Sequence, residues 1–217
     1  MIAWVYAHAR AAKCLDRLVV ATDSEEIASV CRARRIPAVM TSPAHRSGTD
    51  RLIEVLSREP AEICVNIQGD EPMVTAEHIE LLLKPFGDAS GTDVSTLKVA
   101  IDPEAAANPN NVKVVTELSG RALYFSRARI PYDREGSRRV QYYKHLGLYA
   151  YTAAALGRFQ TLPPSPLEQR EKLEQLRFLE NGIPITVLET RQDTIGVDTE
   201  EDLERVEEYF RSQGFAL

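Results

Sequence analysis

Short apolar segments that alternate with helical segments are the feature that most restricts the fold of this chain. The first segment, residues 17–22, ends at Asp23-Ser24, and this pair favours the start of the helix predicted over residues 25–34. Strands predicted at 38–40 and 63–67 are likewise each followed by a helical pattern. Such alternation predicts an α/β fold, doubly wound around a mostly parallel sheet with right-handed crossovers.

In the later part of the chain, predicted strands no longer alternate regularly with helices. Its predicted strands, at residues 94–101, 112–116, 122–125 and 145–151, follow one another with only a brief predicted helix, residues 103–107, among them. That succession predicts a smaller antiparallel extension of the sheet. Alternation resumes after this region, with a predicted helix over 166–180, a strand over 185–188 and a helix over 200–211.

Composition restricts the class of protein. The chain has 217 residues and 44% hydrophobic content, which fits one domain over residues 1–217 with a sizeable core. A net charge of −6 argues against a nucleic-acid-binding surface. The three cysteines are spread along apolar segments and are expected to be buried free thiols. With no apolar stretch of membrane length and no leader pattern, we expect a cytoplasmic enzyme of small molecules and no membrane partner.

The end of the segment at residues 63–67 carries the first candidate functional residue. The apolar run leads into Gly69-Asp70-Glu71-Pro72, and open α/β sheets bind ligands at the carboxyl ends of their strands. A carboxylate there suits a hard cation that carries phosphate. The alternative interpretation is a turn, because every residue type in this segment favours one.

A second acid follows the same pattern near the end of the chain. Asp198 ends the short apolar segment 194–197 directly before a helical pattern. Asp70 and Asp198 could therefore share one Mg²⁺, which would bridge phosphate oxygens and neutralise developing charge. The alternative is that Asp198-Thr199 only starts the helix.

A polar loop at residues 45–51 is the candidate nucleotide contact. Hydroxyls of Ser47 and Thr49, backbone amides near Gly48 and the guanidinium of Arg51 can meet a base, a ribose or phosphate oxygens. The alternative is a helix cap in which Ser47 or Thr49 accepts from backbone amides.

Three later residues suit an acidic ligand with hydroxyls. Arg127 ends a predicted strand, and its planar fork matches a carboxylate, although a surface ion pair is the alternative. His145 and Tyr149 lie on one face of their predicted strand, with Leu146 and Leu148 on the other. This face is polar enough to line a pocket, while a structural role for a lone histidine stays open.

The predicted helix over 166–180 brings Glu174 and Gln175 close to Phe178 on a helical wheel. A carboxylate and an amide beside an aromatic ring suit sugar hydroxyls. Glu168, Glu171 and Lys172 are interpreted as the solvated side of this helix.

A doubly wound sheet usually opens on a strand and a phosphate-binding loop, whereas this sequence opens on a helical pattern. No GxGxxG or GxxxxGK[ST] motif occurs later. We therefore expect that the first strand and its loop are missing.

Together these segments resemble the 3-deoxy-manno-octulosonate cytidylyltransferases, the CMP-Kdo synthetases of bacterial lipopolysaccharide assembly. The resemblance runs in family order over essentially the whole chain. It rests on VVATD at 19–23, HRSGTDR at 45–51, VNIQGDEP at 65–72, NPNNVKVV at 108–115, ALYFSRARIPYDR at 122–134, KHLGLYAY at 144–151, SPLEQREKLEQLR at 165–177 and GVDTEEDLERV at 196–206.

The resemblance implies a nucleotide-diphospho-sugar transferase-like fold and a Mg²⁺-dependent reaction. In that reaction the anomeric hydroxyl of Kdo attacks the α-phosphate of CTP, which forms CMP-Kdo and releases pyrophosphate. Asp70 and Asp198 would hold the metal and act in catalysis, and a homodimer is implied. The nucleotide would meet Ser47, Gly48, Thr49 and Arg51. The sugar acid would meet Gln68, Arg127, His145, Tyr149, Glu174 and Gln175.

The resemblance also implies that a strand and a loop similar to PARxxSxRLPGKPL lie ahead of the aligned region. We therefore expect a misplaced start, because the downstream motifs are all intact. Two alternatives stay open at this point: a non-catalytic binder that retains a sugar-acid pocket, and a cytidylyltransferase for another sugar acid such as an amino-Kdo or a neuraminate.

Overall fold

The computed structural model describes residues 1–45, 47–87, 91–136, 140–197 and 199–212. The chain divides into two compact units. Unit 1 comprises Met1–Arg58, Ile67–Glu80 and Asp193–Leu217, and unit 2 comprises Glu59–Asn66 and Leu81–Gln192. The expected single domain over 1–217 stays a prediction.

Helices and strands alternate along the first part of the chain, and strands follow one another later, as the sequence pattern predicts. In chain order they are α1 (Ile2–Ala9), β1 (Val20–Thr22), α2 (Glu25–Ala33), β2 (Ala38–Met40), α3 (Gly48–Arg58), β3 (Ile63–Asn66), α4 (Ala76–Leu83), a 3₁₀ turn (Lys84–Phe86), β4 (Val94–Ile101), α5 (Pro103–Ala107), β5 (Lys113–Thr116), β6 (Ala122–Ser126), β7 (Tyr142–Thr152), α6 (Ala153–Thr161), α7 (Pro166–Glu171), α8 (Gln175–Glu180), β8 (Thr186–Thr190) and α9 (Glu200–Ser212).

In unit 1, β1 and β2 form a parallel pair in which Val20 lies opposite Ala38. Helix α2 connects them and begins as predicted, with the Ser24 side chain accepting a hydrogen bond from the Ile27 N–H group. Strand β1 is shorter than the predicted segment 17–22. Its backbone pairing with β2 covers only three residues, Val20–Thr22.

In unit 2, the described strands form a sheet in the order β6-β5-β7-β4-β8, with β3 also paired to β7. Only the β4–β8 pair is parallel in this sheet, while β7 runs antiparallel to β3, β4 and β5. The α/β class and the antiparallel extension are confirmed, but the sheet of unit 2 is mixed rather than mostly parallel. The reason is that β7 lies centrally and runs antiparallel to each of its described neighbours.

The core of unit 2 lies along both faces of β7. Leu146 and Leu148 are almost fully buried, as alternation predicts, but His145 and Tyr149 are also buried. On the polar face of this strand, 9% of His145 and 8% of Tyr149 remain exposed. Rings of Phe125, His145, Tyr149 and Tyr151 pack along it, with successive centroids 5.0, 5.3 and 5.5 Å apart.

The helix predicted over 166–180 is interrupted, and this corrects the sequence interpretation. Lys172 adopts a left-handed conformation with φ 55°, which ends α7 and leaves Glu174 as the N-cap of α8. Neither Glu168 nor Glu171 is a purely solvated residue: Glu168 pairs with Arg177, and Glu171 accepts hydrogen bonds from the end of β6. Helix periodicity continues through the break and therefore conceals it.

Helix α6 was not predicted, because its alanine-rich sequence continues directly from β7. The Thr152 side chain accepts from the Ala155 N–H group and starts this helix. The three cysteines are free, with Cys31 and Cys64 buried as expected, whereas Cys14 is exposed, contrary to expectation. No helix among the described residues has both the length and the apolar character needed to cross a membrane.

Candidate functional site

The polar loop before α3 lies in unit 1, and part of it serves the helix start. The Ser47 hydroxyl accepts a hydrogen bond of 3.2 Å from the Asp50 N–H group. Gly48 begins the helix, and Thr49 is buried at its first turn. The capping interpretation therefore holds for Ser47, and contact of these residues with a nucleotide stays a prediction. Arg46 lies outside the described residues.

The Arg51 guanidinium joins the ends of β1 and β2. It pairs with Asp23 at 3.1 Å and donates a hydrogen bond to the Thr41 hydroxyl. Its fork is therefore held in place by groups that follow two neighbouring parallel strands. A cation held at the carboxyl ends of parallel strands is suitably placed for a phosphate, at the edge where α/β proteins bind ligands.

Glu54 organises the same loop and was missed in the sequence analysis. Its carboxylate accepts from the Ser42 N–H group at 2.8 Å and pairs with His45 and Arg58. The Ser42 amide, followed by His45, lowers the pKa of Glu54. Its spacing on α3, four residues before Arg58 and three after Arg51, was the available signal.

Asp70 lies in a turn that packs on the segment preceding Asp198. The turn is closed by a 3.2 Å hydrogen bond from the Glu71 N–H group to the Gln68 carbonyl. The Val197 N–H group donates to the Asp70 carbonyl at 2.8 Å. Glu71 also lies against Gly196, where an added Cβ would be 3.6 Å from its carboxylate. The turn interpretation therefore holds, and the backbone next to position 198 lies beside Asp70.

Of the two predicted metal ligands, Asp70 and Asp198, the structure describes only Asp70. The side chain of Asp70 is exposed, while Asp198 lies outside the described residues. Among the residues that the structure does describe, no group of three or more His, Cys, Asp or Glu could hold a metal ion. Exposed carboxylate oxygen is the donor type that Mg²⁺ prefers, and Mg²⁺ commonly takes one or two carboxylates together with substrate phosphates. The donor chemistry of Asp70 fits this metal.

Arg127 lies in unit 2 and is positioned by the last residue of α7. Its Nε donates to the Glu171 carbonyl at 2.8 Å, and its backbone N–H group donates to the Glu171 carboxylate at 2.9 Å. A third bond, 3.3 Å long, joins Nη1 to the Pro109 carbonyl. Within the described part of the chain no carboxylate side chain pairs with this guanidinium. The surface ion pair considered from sequence is therefore absent there, and charge remains for an acidic ligand.

Lys113 is a second cation beside Arg127, and the sequence analysis did not single it out. Its side chain is fully buried, and Nζ donates to the Asn108 carbonyl at 2.8 Å. Burial, and then the nearby Arg127 charge, lowers the pKa of Lys113, whereas Glu171 opposes the shift. Its position in the alternating strand Lys113–Thr116 was the only available signal.

His145 is held by Thr96 from the neighbouring strand β4. The Thr96 Oγ1 atom lies 3.0 Å from His145 Nε2, and it also donates towards the carbonyls of Leu148 at 2.8 Å and Leu146 at 3.2 Å. Burial, followed by the Lys144 charge, lowers the pKa of His145 to about 3. The imidazole is therefore neutral near neutral pH.

Tyr149 contributes a hydroxyl to the same region. Its ring centroid lies 5.3 Å from that of His145, and its buried Oη atom has no close hydrogen-bond partner among the described residues. Burial, followed by Tyr151 and Glu174, raises the pKa of this hydroxyl well above its ordinary value, and the nearby Thr96 side chain opposes the shift. It therefore stays protonated and can both donate and accept a hydrogen bond.

Glu174 and Gln175 begin α8 rather than occupying the middle of a long helix. Glu174 is close enough to Tyr149 to raise its pKa, and Gln175 is 7% exposed. The predicted sugar-acid residues Arg127, His145, Tyr149, Glu174 and Gln175 thus all belong to unit 2. Gln68 belongs to unit 1, together with the predicted nucleotide and metal residues.

Comparison with known proteins identifies the family to which the chain belongs. The model of the family described as "Cytidylyltransferase" matches residues 1–191. The chain is 55% identical over 208 residues to the 3-deoxy-manno-octulosonate cytidylyltransferase of Acidobacterium capsulatum, covering 96% of this chain and 84% of the relative. It is 53% identical over 213 residues to the enzyme of the same name from Koribacter versatilis, covering 98% and 81%.

Solved structures give the same result. A CMP:2-keto-3-deoxy-manno-octonic acid synthetase complexed with CTP superposes with a TM-score of 0.93 at 41% identity, covering 98% of this chain and 88% of that one. A glucose-1-phosphate thymidylyltransferase from Bacillus anthracis, at 14% identity, shares only the fold, with a TM-score of 0.63 over 99% of this chain and 82% of that one. From its family match and its identity to these relatives, the chain belongs to the cytidylyltransferase family, among the 3-deoxy-manno-octulosonate cytidylyltransferases.

Proposed function

We propose that this protein couples CTP and Kdo to form CMP-Kdo and pyrophosphate. The identity of 55% to the Acidobacterium capsulatum enzyme supports this reaction. In it, the anomeric hydroxyl oxygen of Kdo forms a bond to the α-phosphorus of CTP. The bond from that phosphorus to the bridging oxygen breaks, pyrophosphate leaves, and the hydroxyl proton passes to solvent.

One observation within unit 2 carries the sugar-acid half of the proposal. At the predicted positions, the described residues offer a buried Tyr149 hydroxyl without a close hydrogen-bond partner and an Arg127 guanidinium that donates to uncharged carbonyl groups. A buried hydroxyl without a partner is costly, so a ligand that supplies one is favoured. A molecule with one carboxylate and several hydroxyls matches this set, because Arg127 would bind the carboxylate and Tyr149 a hydroxyl.

Positioning and charge neutralisation are the main requirements of phosphoryl transfer, and no covalent nucleophile is needed. In unit 1, Arg51 is held by Asp23 and Thr41 where it would bind phosphate oxygens. In unit 2, Arg127 and its partner Glu171 would orient the sugar acid. Gln68, Ser47, Gly48 and Thr49 would complete the nucleotide and sugar contacts.

We further propose Mg²⁺ as the cofactor, held by Asp70 and Asp198. The exposed Asp70 carboxylate and the 2.8 Å hydrogen bond between Val197 and Asp70 support this pairing. When bound, Mg²⁺ supplies charge neutralisation at the phosphates of CTP.

Pyrophosphate release tests the reaction. The complete product of the gene is incubated with CTP and MgCl₂, with Kdo, with N-acetylneuraminate or without sugar acid. We expect turnover with Kdo and little in the other two mixtures. Equal turnover with the neuraminate would contradict the choice of Kdo, and no turnover with either sugar acid would contradict the enzymatic function.

Asp70→Asn tests the metal contact. Loss of one carboxylate should reduce kcat by about 100-fold or more, since Lewis-acid stabilisation contributes several kcal/mol. Glu71→Gln, a matched change at the next residue, should have a smaller effect on kcat. An Asp70→Asn enzyme with wild-type kcat and an unchanged Mg²⁺ dependence would contradict the metal assignment.

We also propose that the protein acts as a homodimer in the cytoplasm, in lipopolysaccharide assembly. Leu123 on β6 is 57% exposed, and a second copy of the chain could cover it. Light scattering after size exclusion should give twice the mass of one chain. Leu123→Glu should lower that mass if Leu123 lies in the contact, and an unchanged dimer would exclude Leu123 from it.

A further inference from the structure

The hydroxyl of Thr96 has more acceptors around it than hydrogens to donate. Three atoms lie within hydrogen-bond distance of Oγ1: the Leu148 carbonyl oxygen at 2.8 Å, the Leu146 carbonyl oxygen at 3.2 Å and His145 Nε2 at 3.0 Å. The Tyr149 hydroxyl, which can donate to Oγ1, is also near Thr96. The two carbonyl oxygens can only accept. If the single hydroxyl hydrogen points to one carbonyl, only the other carbonyl is left unmatched, and the oxygen lone pairs face the imidazole.

A bulge in the sheet creates this arrangement. Thr96 lies opposite Tyr149, while the next residue of β4, Leu97, lies opposite Leu146. Gly147 and Leu148 are thus extra residues on β7, and the ladder between β4 and β7 is interrupted there. The Thr96 hydroxyl meets the carbonyls of Leu146 and Leu148 at this interruption, and such bulges often direct a side chain at a functional site.

The hydrogen count determines the tautomer of His145. If Nε2 carried no hydrogen, the Thr96 hydroxyl would have to donate to it, and two carbonyl oxygens would face bare oxygen lone pairs. Nε2 must therefore carry the hydrogen. The buried, neutral ring then has a bare Nδ1, and this atom has no hydrogen-bond partner in the part of the chain that the structure describes.

We propose that Thr96 is a positioning residue that holds His145 as the Nε2–H tautomer, so that Nδ1 accepts a hydrogen bond from a hydroxyl of the sugar acid. This inference rests on the proposed function, since it specifies which partner donates and which accepts in one contact between the sugar acid and His145. It also makes that contact selective, because a ligand atom that can only accept would face another acceptor. A hydroxyl fulfils the requirement, and a fluorine or an ether oxygen does not.

The tautomer can be read without any enzymatic assay. Long-range ¹H–¹⁵N correlation spectra of the protein distinguish a protonated Nε2 from a protonated Nδ1 in each histidine, and His145→Gln assigns the signals. We expect the Nε2–H pattern in the wild type and in Thr96→Ser, which keeps the hydroxyl. Thr96→Val should show a mixture or the Nδ1–H form. A wild-type spectrum with Nδ1–H would overturn the inference.

Affinity for Kdo, measured by calorimetry, tests the consequence. Thr96→Val should weaken binding about tenfold, as expected for the loss of one buried hydrogen bond, and Thr96→Ser should restore most of it. Ser95→Ala is the matched control, because Ser95 is also fully buried in β4 but donates to the Leu82 carbonyl. Deoxyfluoro analogues of Kdo should identify one hydroxyl whose replacement weakens binding to the wild type but has little further effect in Thr96→Val.

The outcomes separate the inference from the proposed function. Active protein with His145 protonated at Nδ1, or with equal affinity in Thr96→Val and the wild type, would overturn the inference alone. Protein with Nε2–H that neither binds Kdo nor releases pyrophosphate would overturn the proposed function and the ligand contact together. If Thr96→Val does not fold, the inference is still tested by the tautomer of His145 in the wild type and by the affinities of the deoxyfluoro analogues for the wild type.

Discussion

Individual side chains in this protein act through partners that lie far away in sequence. Glu171 belongs to a run of charges on a helix, yet its carboxylate accepts from Ser126 and from the Arg127 backbone, 45 and 44 residues earlier. Its carbonyl also holds the Arg127 guanidinium. Sequence periodicity indicates a helix face but not what covers that face, so the role of Glu171 could not be predicted.

Glu171→Gln should therefore impair the sugar-acid contact. The amide keeps one acceptor but turns an NH₂ group towards a donor, which should loosen Arg127 and leave less negative charge beside Lys113. We expect the KM for Kdo to rise about tenfold while the KM for CTP stays within about twofold. Steady-state kinetics with each substrate varied checks this.

Arg127→Lys combined with Glu171→Gln makes the test specific. If Glu171 acts through Arg127, the double variant should be little worse than Arg127→Lys alone. Full additivity of the two effects would contradict a positioning role for Glu171.

Elements were predicted best where local signals set their limits. The strand Ala38–Met40, the strand Val94–Ile101 and the helix Pro103–Ala107 lie where the sequence pattern predicts them. The prediction of a single helix over 166–180 was wrong, because Lys172 adopts a left-handed conformation, which a lysine in the sequence does not indicate. This break determines that Glu171 ends one helix and Glu174 begins the next.

Lys172→Val should destabilise the protein by about 1–2 kcal/mol, because a β-branched residue resists the left-handed region. Lys172→Gly should be neutral or slightly stabilising, since glycine has no Cβ to clash. Urea denaturation of both variants measures these differences. Equal stability of the two would show that the backbone at this position does not require a positive φ.

The stability of the whole molecule depends on pH because the imidazole of His145 is buried in its neutral form. The pKa of His145 is about 3 in the folded chain and about 6.5 when exposed, so unfolding takes up a proton between these values. The contribution of His145 is complete above pH 6.5 and falls as the pH decreases towards 3, at about 1.4 kcal/mol per pH unit.

The difference in unfolding free energy between the wild type and His145→Gln should therefore change with pH. Between pH 7 and pH 5 the wild type should lose about 2 kcal/mol relative to the variant. Denaturant titrations at both pH values measure this difference, in which the contributions of the other titratable groups cancel. A constant difference would mean that His145 titrates normally in the folded state.

The two compact units also separate the predicted contacts. Those for the nucleotide and metal lie in unit 1, and those for the sugar acid lie in unit 2, except for Gln68. Chain order does not reveal this division, because unit 1 is assembled from three separate segments. The contacts of Asp70 illustrate the point, since its carbonyl accepts from Val197, more than a hundred residues later.

Local chemistry in the sequence determined the α/β class, most element positions and the residue types available for each ligand, because caps, turns and periodicity depend on near neighbours. The tertiary structure alone decided the central antiparallel place of β7, the break at Lys172 and the hydrogen-bond partners of Arg127 and His145. These features depend on which distant backbone groups must be satisfied once the chain is packed. A bulge beside Thr96, for example, exists only when β4 and β7 lie side by side.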